Sequence, residues 1–397
     1  MPAMWRVGTF ASRRDCDGTV AVGERPGYTA AATGASSDAQ GGVPAAQDAA
    51  LRNPFGLPNS LRRHPDDSSE AQVIYLFAYY HFCLFANKQG GLAMQIAYAY
   101  RRGTFYPYHG AELAPRELRP RYWRKVKEMG FDAVELPVMA EPGRSPEDTA
   151  RELRAELADA GLVCAAVRGG GGLHHPRVAA RNRRRLEEAI RFAAVAGARV
   201  VNSIMGGPLP YPQRPGTGYG EPVTQLGSRI ASESDYERTA RGLQELAARA
   251  ADLGIELSIE VHQHSLVDNS WSALHLLELV DRPNVGVNPD LGNIYWCYDV
   301  PEETCEAAIV ALAPKAKYWH CKNLRRVHIP DLQKAIFLQV PLPDGEIDYR
   351  FAIQAMLEAG YQGYLAVEGL RLGDQYYGDA RSVAYVKQVL GELGHRG

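Results

Sequence analysis

Leu257-Ser-Ile-Glu260-Val-His262, Gly286-Val-Asn-Pro-Asp290, Tyr318-Trp-His320-Cys-Lys322 and Leu365-Ala-Val-Glu368 are short apolar runs, each ending in one or two ionisable residues. Each lies between stretches with the apolar period of an amphipathic helix. The first three anchors are evenly spaced, 290 − 260 = 30 and 320 − 290 = 30 residues apart, about one strand-plus-helix unit each. When such units close into a parallel barrel, every strand ends on the same face. Glu260, Asp290, His320 and Glu368 then converge, although they are far apart in the chain. Three carboxylates and an imidazole form a ligand set for a hard or borderline divalent cation such as Mn²⁺ or Mg²⁺.

Working outward, strand and helix alternate from Met94 onward. Strands are predicted over Met94–Tyr100, Phe131–Pro137, Leu162–Val167, Arg199–Ser203, Glu256–Val261, Val285–Pro289, Ala316–His320 and Tyr364–Glu368. Helices are predicted over Pro120–Met129, Ser145–Ala160, Val178–Ala196, Ser234–Leu253, Ala273–Val280, Glu302–Leu312 and Ala380–Leu390. Ser145-Pro-Glu-Asp148 sets Ser at an N-cap, Pro at the first helical position and acids in the first turn. Gly130, Gly197 and Gly254 stand where helix stops are needed. Eight strands interleaved with these helices predict a (β/α)8 TIM barrel, an α/β fold, spanning 94–397.

Residues 1–93 read differently. Positions 1–72 are rich in Gly, Ala, Ser, Asp, Arg and Pro with no sustained period, which predicts a disordered extension. Val73–Ala86 is apolar and aromatic but short for a membrane span. Lys88-Gln-Gly-Gly91 can be encoded by codons containing a ribosome-binding sequence, with Met94 just downstream. Translation is therefore expected to start near Met94, leaving a length that suits one barrel.

A net charge of −2 gives no electrostatic footprint for nucleic acid, and neither a nucleic-acid nor a membrane partner is expected. The Arg181–Arg185 run is followed by Glu187 and Glu188 and reads as a solvated helix face. Six cysteines form no C-x-x-C pair, so reduced thiols and a cytoplasmic location are expected. The Gly169–Gly172 run lacks the Lys-Ser/Thr of a P-loop and reads as a mobile loop, with His174 and His175 exposed beyond it.

His262 follows Glu260 by two residues, and Lys322 follows His320 by two, so strand alternation puts each on the ligand-bearing face. Both are candidate acid/base groups, and Glu260 and Glu368 are candidates for catalysis as well as metal ligation. Glu135, Asn202, Asn293, Trp296 and His109 are candidate substrate contacts at strand ends or in the adjoining loops, and His264 is a weaker one. Trp296 and Tyr295 offer a flat apolar wall beside the Asp290 loop, whereas Trp271 reads as core.

With these residues in place, the chain resembles the xylose-isomerase-like TIM-barrel superfamily, the group of sugar phosphate isomerases and epimerases. The resemblance rests on Phe131-Asp-Ala-Val-Glu-Leu-Pro137, Ile259-Glu-Val-His262, Asn288-Pro-Asp-Leu-Gly-Asn293, His320-Cys-Lys-Asn323 and Pro343-Asp-Gly-Glu-Ile-Asp-Tyr349, leading through Gly360-Tyr-Gln-Gly363 to Glu368. It implies one divalent metal, Mn²⁺ first, then Mg²⁺ or Co²⁺, held by Glu260, Asp290, His320 and Glu368. The two glutamates would flank the substrate carbon that exchanges a proton. The implied activity is isomerisation, epimerisation or elimination on a sugar or oxo-sugar beside a carbonyl. The chain departs from ketose epimerases at Asn293, where they tend to carry His, and in the longer 323–342 connection. A related branch, the catalytic subunit of C-glycoside deglycosidases, eliminates the aglycone from a 3-oxo-C-glycoside and pairs with a small β subunit. The resemblance therefore implies either a homo-oligomer or that hetero-oligomer. Apurinic endonucleases share the fold, but they demand a zinc cluster with more histidines and a basic face. A non-catalytic sugar-binding barrel would need no metal at all.

Overall fold

The computed structural model describes residues 94–99, 116–207, 227–296, 302–332, 334–371 and 373–395. The expected extension, His109 and most of the 205–230 segment lie outside the described residues. Strand and helix alternate through the rest: β1 Gln95–Ala99, α1 Arg119–Glu128, β2 Ala133–Pro137, α2 Pro146–Asp159, β3 Val163–Arg168, α3 Pro176–Ala196, β4 Val200–Ser203, α4 Glu233–Asp252 and β5 Glu256–Glu260. Then come α5 Ser270–Val280, β6 Val285–Asn288, α6 Leu291–Tyr295, α7 Cys305–Leu312, β7 Trp319–Cys321, β8 Asn323–Ile329, β9 Lys334–Val340, α8 Tyr349–Glu358, β10 Tyr364–Glu368 and α9 Gln375–Glu392.

Eight strands form one parallel sheet in the order β6-β5-β4-β3-β2-β1-β10-β7. Its two edges meet through a parallel bridge between Val287 and Ala316, and Lys317 N donates to Val287 O (2.9 Å). That contact closes the barrel, so all eight strands deliver their C-terminal ends to one mouth. The helices start where local chemistry allows. Ser145 accepts from Asp148 N ahead of α2, a cap worth about 1 kcal/mol. Gly197 (φ 80°) ends α3 in the left-handed region that favours glycine.

Inside the barrel, alternation separates two layers. Ala97, Ala99, Ala133, Ala166, Val200, Tyr318 and Ala366 fill the lower lumen. Two residues further along their strands stand Glu135, Arg168, Asn202, His320 and Glu368, at the mouth. A bulge between Val134 and Glu135 against β3 shifts the pairing there, so that Glu135 pairs with Ala166 and Pro137 with Arg168. Bulges often re-aim side chains next to functional sites. The apolar core lies between the sheet and the helices, around Trp123, Phe131, Leu153, Phe192, Leu246 and Trp319.

The 323–342 connection is an antiparallel hairpin of β8 and β9, with Arg326 opposite Phe337 and Val327 opposite Ile336. Buried Asn323 closes its base, donating to Leu342 O (2.7 Å) and Ile347 O (2.9 Å) and accepting from Ile347 N (2.9 Å). Several expectations are corrected here. Trp271 is 61% exposed, stacked on His275, rather than in the core. His174 is buried, and His175 caps α3 by accepting from Arg177 N. The glycine loop is tied down, with Gly169 N bonded to Asn202 O (2.7 Å) and Asn182 Nδ2 to Gly172 O (2.8 Å). The Arg181–Arg185 run lies on α3 as a largely solvated face, and Arg183 pairs with Glu245 of α4.

One tie behind the mouth is sensitive to pH. Tyr98 OH donates to Asp379 (3.0 Å), and so does Leu370 N (2.9 Å). Burial pushes the Asp379 carboxyl up to about 7. The folded chain therefore holds a proton that the unfolded chain, with a value of about 3.9, has already released. Stability from this group is full below about pH 4 and falls as the pH rises through about 7. Asp379→Asn is expected to flatten that slope, roughly 2–4 kcal/mol between pH 4 and pH 8. Urea unfolding of both proteins across that range checks it; parallel curves would contradict the assignment.

Candidate metal centre

Glu260 ends β5, Asp290 opens α6 two residues past β6, His320 is the middle residue of β7, and Glu368 ends β10. All four are buried, and each offers a ligand atom within 4.8 Å of the others. Ligands on opposite sides of a small divalent cation stand roughly 4 Å apart, so the cluster needs only slight contraction to hold one. His320 Nδ1 lies 3.4 Å from Glu260 and 3.5 Å from Glu368. It is buried and has no hydrogen-bond partner. A buried ring nitrogen without a partner, aimed at two carboxylates, is what a metal ligand looks like before the ion is considered.

The neighbouring side chains hold this arrangement. His320 Nε2 is 2.6 Å from Glu135 Oε2, which leaves Nδ1 for the cluster. Glu135 Oε1 in turn accepts from Arg168 Nε (2.7 Å). Asn202 donates to Glu260 Oε2 (3.0 Å), and Asn288 donates to Asn202 (3.2 Å) while accepting from His320 N (2.7 Å). Asn293 Nδ2 reaches Glu260 Oε1 (3.1 Å) and Asp290 Oδ2 (2.9 Å). Lys322 Nζ contacts Asp290 (2.5 Å), Asn293 (2.8 Å) and Glu368 (3.1 Å), and Tyr349 OH bonds both Lys322 N and Lys322 O.

The charges call for a cation. Glu135, Glu260, Asp290 and Glu368 face Arg168 and Lys322, which leaves −4 + 2 = −2 before His320 is counted. One divalent ion cancels that. Without it the site recruits a proton: burial opposes a charged imidazole, but Glu135 and Glu260 outweigh burial and raise His320 to about 10. A cation at Nδ1 would take the place of that proton. Burial alone would raise Glu260 and Glu135 as well. His320 instead holds Glu260 below the usual carboxylate range, and Arg168, then His320, do so for Glu135. Asp290 is pushed by burial up to about 6, against the pull of Lys322.

Of the residues singled out from sequence, the structure brings Glu260, Asp290, His320, Glu368, Lys322, Asn202, Asn293 and Glu135 into one connected network. His262 stands beside it: burial lowers its basicity, while Glu260, Lys322 and Glu368 act on it electrostatically. Its Nδ1 is tied to Gln263 O (2.8 Å). His264 sits in a left-handed turn (φ 63°). Trp296 packs against Phe337 of the hairpin (centroids 5.8 Å apart). Glu135, expected as a substrate contact, has both oxygens taken by His320 and Arg168. Sequence reading passed over Arg168, Asn288 and Phe337. The inward parity of Arg168 with Ala166, and of Asn288 with Gly286 on β6, was the available signal.

Comparison with known proteins agrees with this picture. L-ribulose-5-phosphate 3-epimerase UlaE from Escherichia coli (strain SMS-3-5 / SECEC) is 25% identical over 256 residues, covering 61% of this chain and 79% of its own length. A xylose isomerase-like TIM barrel protein from Mycobacterium smegmatis, solved in complex with magnesium, superposes with a TM-score of 0.61 at 24% identity. That match covers 76% of this chain and 97% of the other. The structure of an L-ribulose 3-epimerase superposes with a TM-score of 0.58 at 18% identity, covering 76% and 96%. The sequence profile described as Xylose isomerase-like TIM barrel matches residues 123–384, and the chain belongs to that family.

Proposed function

We propose that this chain is a divalent-metal-dependent isomerase or epimerase of a sugar or oxo-sugar, acting by proton transfer at a carbon beside a carbonyl. The observation that carries this reading is the pair of glutamates that both approach His320 Nδ1, within a cluster fit for one cation. Glu260, Asp290, His320 and Glu368 would hold the ion, with Mn²⁺ expected first and Mg²⁺ or Co²⁺ as substitutes. When bound, the ion supplies a Lewis acid for substrate oxygens next to the reacting carbon. The chain's own groups do the rest. Asn202 and Asn293 fix the Glu260 carboxylate at both oxygens, so it meets the substrate in one orientation. Glu260 takes the proton from one face of the carbon, and Glu368 serves the other. Lys322 contacts Asp290, Asn293 and Glu368, which occupies its three donors and makes it a positioning group for two of the ligands. His262 lines the same mouth as a proton-exchanging or substrate-binding group.

The UlaE relative supports a sugar substrate, and its epimerisation is one of the outcomes this chemistry allows. Returning the proton to the same carbon from the other side gives an epimer, and returning it to the neighbouring carbon gives an isomer. A second reading is favoured by the hairpin, whose inner face sets Phe337 against Trp296 at the mouth. An aromatic wall suits a bulky glycoside, and loss of a β-substituent would then release the aglycone of a 3-oxo-C-glycoside, with a small β subunit as partner.

One experiment separates these readings. The metal-loaded chain is incubated in D₂O with a panel of 2-ketoses and with a 3-oxo-C-glycoside, before and after exhaustive chelation. Deuterium at the carbon beside the carbonyl, lost on chelation and restored by Mn²⁺, is expected. Aglycone release would favour elimination. Full turnover after chelation would refute both readings.

A further inference from the structure

We propose that Arg168 is a substrate-binding residue of this centre, its terminal nitrogens donating to a sugar oxygen beside the reacting carbon. The proposal rests on reading the centre as a sugar site. Arg168 ends β3, shares the inward parity of Ala166, and pairs with Asn202, the residue that holds Glu260. Its Nε is committed to Glu135 (2.7 Å). Nη2 lies 2.7 Å from the same oxygen but out of hydrogen-bonding alignment, and it is buried with no acceptor of its own. The side chain as a whole is 31% exposed, so it is anchored at Glu135 but not enclosed.

That arrangement is costly unless something completes it. Nη2 has the charge of Glu135 beside it but no aligned acceptor, so its lost hydration is only partly replaced. Arginine cannot shed its proton, so it presents a fixed set of donors. The acidic neighbours cannot all turn toward it, because Glu260 is held by Asn202 and Asn293 and Glu368 contacts Lys322. A neutral oxygen that gains negative charge as the proton leaves is the acceptor such a donor serves best. Glu135 then has two positioning tasks: one oxygen orients His320 and the other orients Arg168. A substrate bound at the ligand cluster and at Arg168 would lie across the mouth in front of Glu260.

The test compares Arg168→Met, Arg168→Lys and Glu135→Gln with the wild-type holoenzyme. Mn²⁺ affinity is measured by calorimetry, and so is binding of L-ribulose and of methyl 3-oxo-β-D-glucopyranoside to the Mn²⁺-loaded proteins. Arg168→Met is expected to weaken sugar binding roughly 10–100-fold, well beyond any change in Mn²⁺ affinity that follows from the loss of its pair with Glu135, and Arg168→Lys to recover part of it. Glu135→Gln is expected to lower Mn²⁺ affinity roughly 10–100-fold. Sugar binding that survives in Arg168→Met, that falls only in step with Mn²⁺ affinity, or that is absent from wild type would overturn the proposal. Turnover is read separately. Loss of the expected reaction with sugar binding intact would sink the proposed function and leave the role of Arg168 standing.

Discussion

His320→Ala is expected to abolish both metal binding and turnover, with a loss of at least ~10³-fold in kcat/KM, since several kcal/mol of transition-state stabilisation would go with the ion. Nδ1 of this residue is the cluster's one imidazole ligand atom, and it faces Glu260 and Glu368 at 3.4 and 3.5 Å. Its removal leaves three carboxylate ligands and takes away the only neutral donor of the set. The truncation also breaks a buried pair with Glu135, which costs roughly 3–5 kcal/mol, so Asp290→Asn serves as a second variant of nearly the same shape. Thermal unfolding with and without Mn²⁺ reads the effect without any substrate. Wild type gains about 2.7 kcal/mol when the ion is at 100 times its Kd, and both variants are expected to gain almost nothing. A variant that binds and is stabilised by Mn²⁺ as wild type is would remove His320 and Asp290 from the ligand set.

Much of this site can be read along the chain, because a parallel barrel converts order in sequence into position on a ring. Short apolar runs ending in Glu260, Asp290, His320 and Glu368 place four side chains at one mouth, and the structure gathers them within 4.8 Å. The helices follow from signals as local as Ser145 and Gly197. What escapes is set by partners remote in sequence. Glu135 is 185 residues from His320, and nothing near it says whether it faces a substrate or an imidazole. Arg168 ended an apolar run and therefore looked like its boundary, whereas the bulge beside β3 turns it inward. The hairpin carried only a broken period-2 signal, Arg326-Val327-His328-Ile329 alternating after the Arg325-Arg326 pair, with Pro330-Asp331 at the turn. Inside a run of β-α units, that signal reads as mere lengthening. His174 and Trp271 show a plainer limit: local polarity and aromaticity do not reveal which neighbours cover a side chain.

Glu260→Gln and Glu368→Gln are each expected to lower kcat by roughly 10²–10⁴-fold at saturating Mn²⁺, and the pattern of loss between them says more than its size. Glutamine keeps an oxygen for the cation but cannot accept the substrate proton. Asn202 and Asn293 hold Glu260 at both oxygens, so a glutamine there keeps its place but gives up one of those two hydrogen bonds. Glu368 is held differently, with Lys322 at 3.1 Å and Gln339 bonded to its backbone oxygen (2.9 Å). Both carboxylates border His320 Nδ1, and on the proposed reading a substrate carbon held between them presents one face to each. For an epimerisation, Glu260→Gln should stop deuterium exchange from one epimer and leave it from the other, and Glu368→Gln should do the reverse. Single-turnover exchange in D₂O, started from each epimer in turn, measures this directly. If one variant loses exchange from both epimers while the other keeps it, a single carboxylate moves the proton, and the chemistry is isomerisation or elimination. If both variants retain exchange within tenfold of wild type, neither glutamate is the base, and His262, a half-buried neighbour acted on electrostatically by Glu260 and Glu368, becomes the residue to replace.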